Sequence, residues 1–148
     1  LIKSPKLYIA DSGMACHLLG IETAAELEKS PFLGALFEGL IASELAKAQV
    51  HAGRRRELYY FRDQQGLEVD FVVPGKSGTI RLIEAKASHT VTPDMAVPMR
   101  RLADAFRRHR GAPRSVEMSL VYRPPRHPPD SRALAPGVKA LGWQAFDT

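Results

Sequence analysis

Glu84-Ala85-Lys86 closes an apolar run, Thr79-Ile80-Arg81-Leu82-Ile83, and sets a carboxylate and an amine two residues apart. A strand alternates its faces at every residue, so Glu84 and Lys86 point the same way. A second acid-bearing run, Leu67-Glu68-Val69-Asp70-Phe71-Val72-Val73, precedes it across Pro74-Gly75-Lys76-Ser77-Gly78. A turn that short fits an antiparallel hairpin, which brings Asp70 beside Glu84 and Lys86. Two carboxylates and an amine on one sheet face suit a hard divalent cation, Mg²⁺ or Mn²⁺. Such an ion takes carboxylate and water oxygens at ~2.1 Å and leaves positions open to water and substrate phosphate. Lys86 would then meet the attacking water or the scissile phosphate and stabilise developing negative charge. Ile80 and Leu82 share the face of Glu84 and predict that it is largely buried. Ionised groups are costly there, and that favours a site over a surface salt-bridge cluster.

These residues need a scaffold. The apolar positions Leu33, Leu36, Phe37, Leu40, Ile41 and Leu45 recur at helical spacing and predict a helix over residues 33–50. Glu38 on that helix is the candidate third acid. Glu44 is six residues on and, at ~100° per residue, faces substantially away, as a helix-face acid. Earlier, residues 6–10 read as a short strand, followed by a helix to Leu19 capped by Asp11 or Ser12, and a Glu-rich helical segment to Lys29. Three strands are expected at 57–63, 67–73 and 79–87. A helix with Pro93 in its first turn then reaches about Arg110, with Pro98 disturbing its start. Residues 116–122 read as a buried strand with Met118, Leu120 and Tyr122 on one face. The proline-rich stretch 123–136 is expected to be an irregular loop, and residues 138–146 a last strand or turn that docks Trp143 and Phe146. Helix, three strands, helix, strand is a mixed α/β arrangement: a central sheet flanked by helices.

The 148 residues suit a single domain with a hydrophobic core. No apolar run approaches the ~20 residues of a membrane helix, and no cleavable signal pattern opens the chain. It begins Leu1-Ile2-Lys3 without an initiator methionine, which reads as a fragment of something longer. The single cysteine, Cys16, excludes an internal disulfide and fits a reducing, cytoplasmic setting; a small buried thiol is its expected role. The five histidines, among them His127, show no ligand spacing. Charge is uneven. Residues 1–99 are nearly balanced, whereas 100–148 carry ten Lys/Arg against four Asp/Glu. Arg100, Arg101, Arg107, Arg108 and Arg110 are the candidate nucleic-acid contacts, with Arg114, Arg123, Arg126 and Arg132 nearby. Arginine matches phosphate geometry well, and the alternative is a solvated helix face.

Glu38, Asp70 and Glu84-x-Lys86 on helix, strand and strand resemble the PD-(D/E)xK nuclease superfamily, whose restriction-endonuclease-like fold has an αβββαβ core. Here Val69 stands where the superfamily's naming proline would be. More closely, Leu36-Phe37-Glu38 through Ser43-Glu44-Leu45, Leu58-Tyr59-Tyr60-Phe61-Arg62, Glu68-Val69-Asp70-Phe71-Val72 and Ile83-Glu84-Ala85-Lys86-Ala87-Ser88 resemble the DUF4143 domain at the C-terminus of AAA-type ATPases. Lys6-Leu7-Tyr8-Ile9-Ala10-Asp11-Ser12-Gly13 matches the same family. The resemblance implies a single nuclease-like domain over 1–148: a lead-in strand and helices to residue 31, the αβββαβ core over 32–122, and a loop and strand over 123–148. It also implies a P-loop ATPase domain N-terminal to this one in the intact chain, and Glu38 beside Asp70 and Glu84 as metal-site acids. These residues hold no G-x-x-x-x-G-K-[ST], so ATP binding by that route is not expected. The leading expectation is a metal-dependent phosphodiesterase acting on nucleic acid. The rivals are a catalytically inactive DNA- or protein-binding accessory module of the ATPase, and a homodimerisation unit built on the apolar helices.

Overall fold

The computed structural model describes residues 4–125 and 131–146. Arg126 and His127 lie outside the described residues. A cap starts each of the first two helices. Asp11 accepts the Met14 amide at 3.0 Å and opens α1 (Ser12–Leu18). Thr23 and Glu26 form a reciprocal capping box at the start of α2 (Ala24–Lys29). The predicted helical stripe becomes α3 (Leu33–His51), with Phe37, Ile41 and Leu45 buried. It ends as expected at Gly53, whose positive φ of 65° lets the chain turn back and the Arg54 amide reach the Gln49 carbonyl.

The strands are β1 (Tyr59–Arg62), β2 (Glu68–Pro74) and β3 (Thr79–Lys86), then β4 (Ser115–Tyr122), β5 (Ser131–Ala135) and β6 (Val138–Gly142). A 3₁₀ turn at Pro93–Ala96 leads into α4 (Val97–Arg108), where Pro98 sits harmlessly in the first turn, its missing N–H not needed by any helical bond. The strands form one six-stranded sheet in the order β1-β2-β3-β4-β6-β5. β1, β2 and β3 are antiparallel, β4 and β6 continue parallel to β3, and β5 closes the far edge antiparallel. The sheet is therefore mixed, in an α+β domain. Helix α4 covers one face through Met99, Leu102 and Ala103, against Leu82, Leu120 and Tyr122. Helix α3 covers the other through Phe37, Ile41 and Leu45, against Phe71, Ile83 and Val121. Adjacent residues such as Leu82 and Ile83 thus fill opposite cores, and β3 and β4 are buried on both sides.

Three expectations are corrected. Residues 6–10 form no strand: the segment pairs with none of the six strands. Side chains hold it in place. The Ser43 hydroxyl donates to the Ala10 carbonyl at 2.9 Å, and Tyr60 donates to the Ser4 carbonyl. The stretch 123–136 is not wholly irregular, since β5 pairs with β6 from Ser131 onward. Trp143 does not dock fully. It remains 40% exposed, whereas Phe146 packs against the α3-side core.

Gln49 is the link between α3 and the sheet. Buried at the helix end, it donates Nε2–H to the Glu57 carbonyl at 3.0 Å and accepts the Glu57 amide at 2.8 Å. One side chain here does the work of a strand partner just before β1. Gln49→Leu keeps the volume and removes both bonds, and urea unfolding is expected to show a loss of about 1–2 kcal/mol, the scale of two lost hydrogen bonds partly replaced by water. An unchanged midpoint would mean that β1 is held without this clamp.

Candidate functional site

The acids meet where β2 departs from regular pairing. Tyr59 lies opposite Val72 but Phe61 lies opposite Val69, so two steps along β1 match three along β2. The extra residue is a bulge. Its packing signature is plain: Val69 belongs to the α4-side core, while Phe71 and Val73 belong to the α3-side core. In a regular strand all three would share a face. Asp70 sits at this switch, and its Oδ2 accepts the Ala85 main-chain N–H from β3 at 3.0 Å. A carboxylate thus takes the place of a ladder carbonyl and locks Asp70 against the Glu84-Ala85-Lys86 triplet.

Glu84 is 5% exposed and Asp70 8%. Lys86 donates to Glu84 Oε1 at 2.7 Å. Glu84 Oε2 is buried and has no hydrogen-bond partner, an orphaned oxygen with two lone pairs unused. Burial first, and then the neighbouring Asp70 charge, push the Glu84 carboxyl up to about 7, against the pull of Lys86 and the Asp70 main-chain N–H. Asp70 is raised as well, by burial and by Glu38, with the Ala85 N–H opposing. Burial works against the Lys86 charge, but its bond to Glu84 and the surrounding carboxylates outweigh it and raise its pKa. The expectation that Asp70, Glu84 and Lys86 come together on neighbouring strands is met.

Glu38 also reaches this corner, but its partners come from elsewhere. Its Oε1 accepts from the Lys6 ammonium at 2.9 Å and from the Tyr8 hydroxyl at 2.5 Å. Lys6 Nζ lies 2.7 Å from Glu68 Oε1 and 3.6 Å from Asp70 Oδ1 as well. Burial opposes the Lys6 charge, yet the bonds to Glu68 and Glu38 and the field of Asp70 carry its pKa upward; burial and the Glu38 bond raise that of Tyr8. Arg62 faces the other oxygen of Glu68 at 3.6 Å. Lys6 and Tyr8 were missed as site residues. The available signal was their alternation with Leu7 and Ile9, which were read as a strand. Glu44 pairs with Lys47 on the outer helix face.

The donor set is suited to a hard cation at Asp70 and Glu84, where the orphaned Oε2 supplies an oxygen without breaking any bond. Among the described residues no group of three or more His, Cys, Asp or Glu side chains is arranged as a metal cage. Two carboxylates plus water is the composition this corner offers.

The arginines are distributed differently. Ser115 of β4 pairs with Thr79 and Tyr122 with Lys86, and only residues 109–114 separate α4 from β4. Arg107, Arg108 and Arg110 therefore lie toward the Thr79 end of the sheet, whereas Lys86 is seven residues along, about 23 Å at ~3.3 Å per residue. All five candidate arginines are exposed. Arg107 pairs with Asp104 at 2.7 Å, and Arg100 shares a shallow depression with both. The basic side at the carboxylate end comes instead from Lys6, Arg62, Lys86 and Arg123, the last tied to Glu28. No helix among the described residues is long and apolar enough to cross a membrane.

Comparison with known proteins agrees with the part of the chain that carries this corner. Two similar proteins are the uncharacterized protein Mb2031c of Mycobacterium bovis (strain ATCC BAA-935 / AF2122/97) and the uncharacterized protein Rv2008c of Mycobacterium tuberculosis (strain ATCC 25618 / H37Rv). Each is 40% identical over 98 residues, which is 66% of this chain and 21% of the relative. The chain thus matches about a fifth of the length of these relatives. No solved structure matches it. Residues 33–123, which run from α3 through β4 and include Glu38, Asp70, Glu84 and Lys86, match the domain of unknown function DUF4143, and the chain belongs to that family.

Proposed function

We propose that this chain is a PD-(D/E)xK-type, nuclease-like domain that holds Mg²⁺ or Mn²⁺ on Asp70 and Glu84 and hydrolyses or recognises phosphodiester bonds of nucleic acid. The observation that carries the reading is the buried, unpartnered Glu84 Oε2 next to a second buried carboxylate. Leaving a charged oxygen without a partner costs more than a satisfied apolar replacement, and such arrangements gather at functional sites. The succession α3, β1, β2, β3, α4, β4 supports the restriction-endonuclease-like core.

A bound divalent cation would polarise phosphate and lower the pKa of water. The chain's own groups do the rest. The Ala85 N–H fixes the Asp70 carboxylate. Lys86, held by Glu84 Oε1, keeps an ammonium beside the acids, where it orients the attacking water and neutralises charge on the phosphate. Glu38 sets the field on Asp70 from α3. The exposed arginines of α4 and its C-terminal loop, Arg100, Arg101, Arg107, Arg108 and Arg110, would contact the phosphate backbone at a distance from the reacting centre. The same reading makes the chain the C-terminal module of a cytoplasmic P-loop ATPase.

The test is nicking of plasmid and short duplex DNA in Mn²⁺, with Asp70→Ala and Lys86→Ala. Wild type is expected to cut, and each variant to lose about 10²-fold or more. Equal activity in all three would mark contamination. A second reading, an inactive binding module, is favoured by the Lys6 ammonium seated among the acids. It prevails if calorimetry detects no Mn²⁺ binding and Asp70→Asn leaves DNA affinity unchanged.

A further inference from the structure

The segment that carries Lys6 is built the wrong way round for a packed strand. Lys6 and Tyr8 point into the protein, while Leu7 is 92% and Ile9 54% exposed. An extended segment normally buries its apolar side chains. Here the inward contacts of Lys6 and Tyr8 are ion pairs and hydrogen bonds, joined by the packing of the Tyr8 ring against Phe71. The Lys6 ammonium reaches Glu38 at 2.9 Å, Glu68 at 2.7 Å and Asp70 at 3.6 Å, and lies 5.2 Å from the centre of the Tyr60 ring. Tyr8 adds its bond to Glu38. Every one of these acids stands on α3 or β2, and Asp70 is one of the two proposed cation ligands.

We propose that Lys6 is a tethered cation that competes with the divalent ion, so that residues 4–10 form a strap whose seating and metal binding exclude one another. This rests on the reading that Asp70 and Glu84 hold a cation. An ammonium in contact with Asp70 Oδ1 and a divalent ion on the same carboxylate would be like charges a few ångströms apart in a half-buried corner, where their repulsion is poorly screened. The ammonium also occupies the Glu38 and Asp70 carboxylates, while Glu84 Oε2 stays buried without a hydrogen-bond partner. Linkage makes the antagonism reciprocal: what loosens the strap strengthens metal binding, and metal binding loosens the strap by the same factor.

Lys6 offers a direct readout, because trypsin cuts the Lys6–Leu7 bond only when the Lys6 side chain has left the cluster. Saturating Mn²⁺ is expected to speed that cut, followed by mass spectrometry, at least about fivefold in wild type and not in Asp70→Asn. In calorimetry, Lys6→Gln is expected to bind Mn²⁺ at least about fivefold more tightly than wild type. Arg62→Gln, which removes an equal charge from a half-exposed position, is expected to shift affinity less. A cut at Lys6 that ignores Mn²⁺, or equal affinity in wild type and Lys6→Gln, overturns the strap while the metal site stands. Absence of Mn²⁺ binding in both proteins overturns the strap and the metal site together. If Lys6→Gln fails to fold, the trypsin comparison in wild type and Asp70→Asn decides alone.

Discussion

Phe71→Ala is expected to destabilise the protein by about 3–5 kcal/mol, the usual range for truncating a fully buried aromatic side chain. Phe71 is 1% exposed and packs in the core between α3 and the sheet, with Ile41, Ile83 and Val121. It owes that place to the bulge, which turns it toward α3 although Val69 two residues earlier faces α4. Truncation leaves a cavity in that core, and α3 and β2 are not free to close on it, since Gln49 ties α3 to the chain before β1 and Asp70 ties β2 to β3. The ring also backs Tyr8, with centroids 6.1 Å apart. Urea unfolding measures the loss. A second, local effect should accompany it: the Tyr8 ring loses its support, and residues 4–10 become easier to cleave under conditions where the core is still folded. A loss below about 1 kcal/mol would contradict the full burial of this ring between α3 and the sheet.

The bulge also shows where the sequence stopped being informative. Helix α3 was legible to within a residue, because an apolar stripe with a glycine stop has one physical solution. The β2–β3 hairpin and the meeting of Asp70 with Glu84 and Lys86 were legible for a similar reason: a short turn fixes register. A bulge leaves no trace in a run such as Glu68-Val69-Asp70-Phe71-Val72-Val73, since apolar residues at successive positions suit two cores as well as one. Lys6-Leu7-Tyr8-Ile9-Ala10 has the alternation of a strand, yet it joins no ladder and is held by side chains. Periodicity describes a segment's faces and says nothing about what lies against them. The arginines fail for a topological reason. They are close in sequence, but a parallel connection from β3 to β4 carries the chain back along the length of the strands, so a run that begins near Lys86 ends at their opposite, Thr79 end. Charge clustering along a chain therefore predicted a patch without predicting that most of it would stand apart from the carboxylates.

Glu84→Gln separates the energetic burden of the site from its scaffold. The Glu84 carboxyl is raised from 4.5 to about 7, chiefly by burial and then by Asp70. Between those values the folded protein keeps a proton that the unfolded chain has released, so stability falls as pH rises. The contribution is fully present below about pH 4.5 and fully lost above about pH 7. The whole shift corresponds to about 3 kcal/mol, reduced in the variant because Lys86 keeps an acceptor oxygen but loses the negative charge beside it. Glutamine cannot ionise, so Glu84→Gln is expected to match wild type near pH 4 and to exceed it by on the order of 1–3 kcal/mol at pH 8. Urea unfolding of both proteins across that interval gives the difference directly. Mn²⁺ should offset this advantage. At a hundred times its dissociation constant it adds about 2.7 kcal/mol to wild type by mass action and little to the variant. Parallel pH profiles without metal would mean that Glu84 is not held against its ionisation. An advantage for Glu84→Gln that survives saturating Mn²⁺ would make the buried carboxylate a relic of the fold, with no ion to justify it.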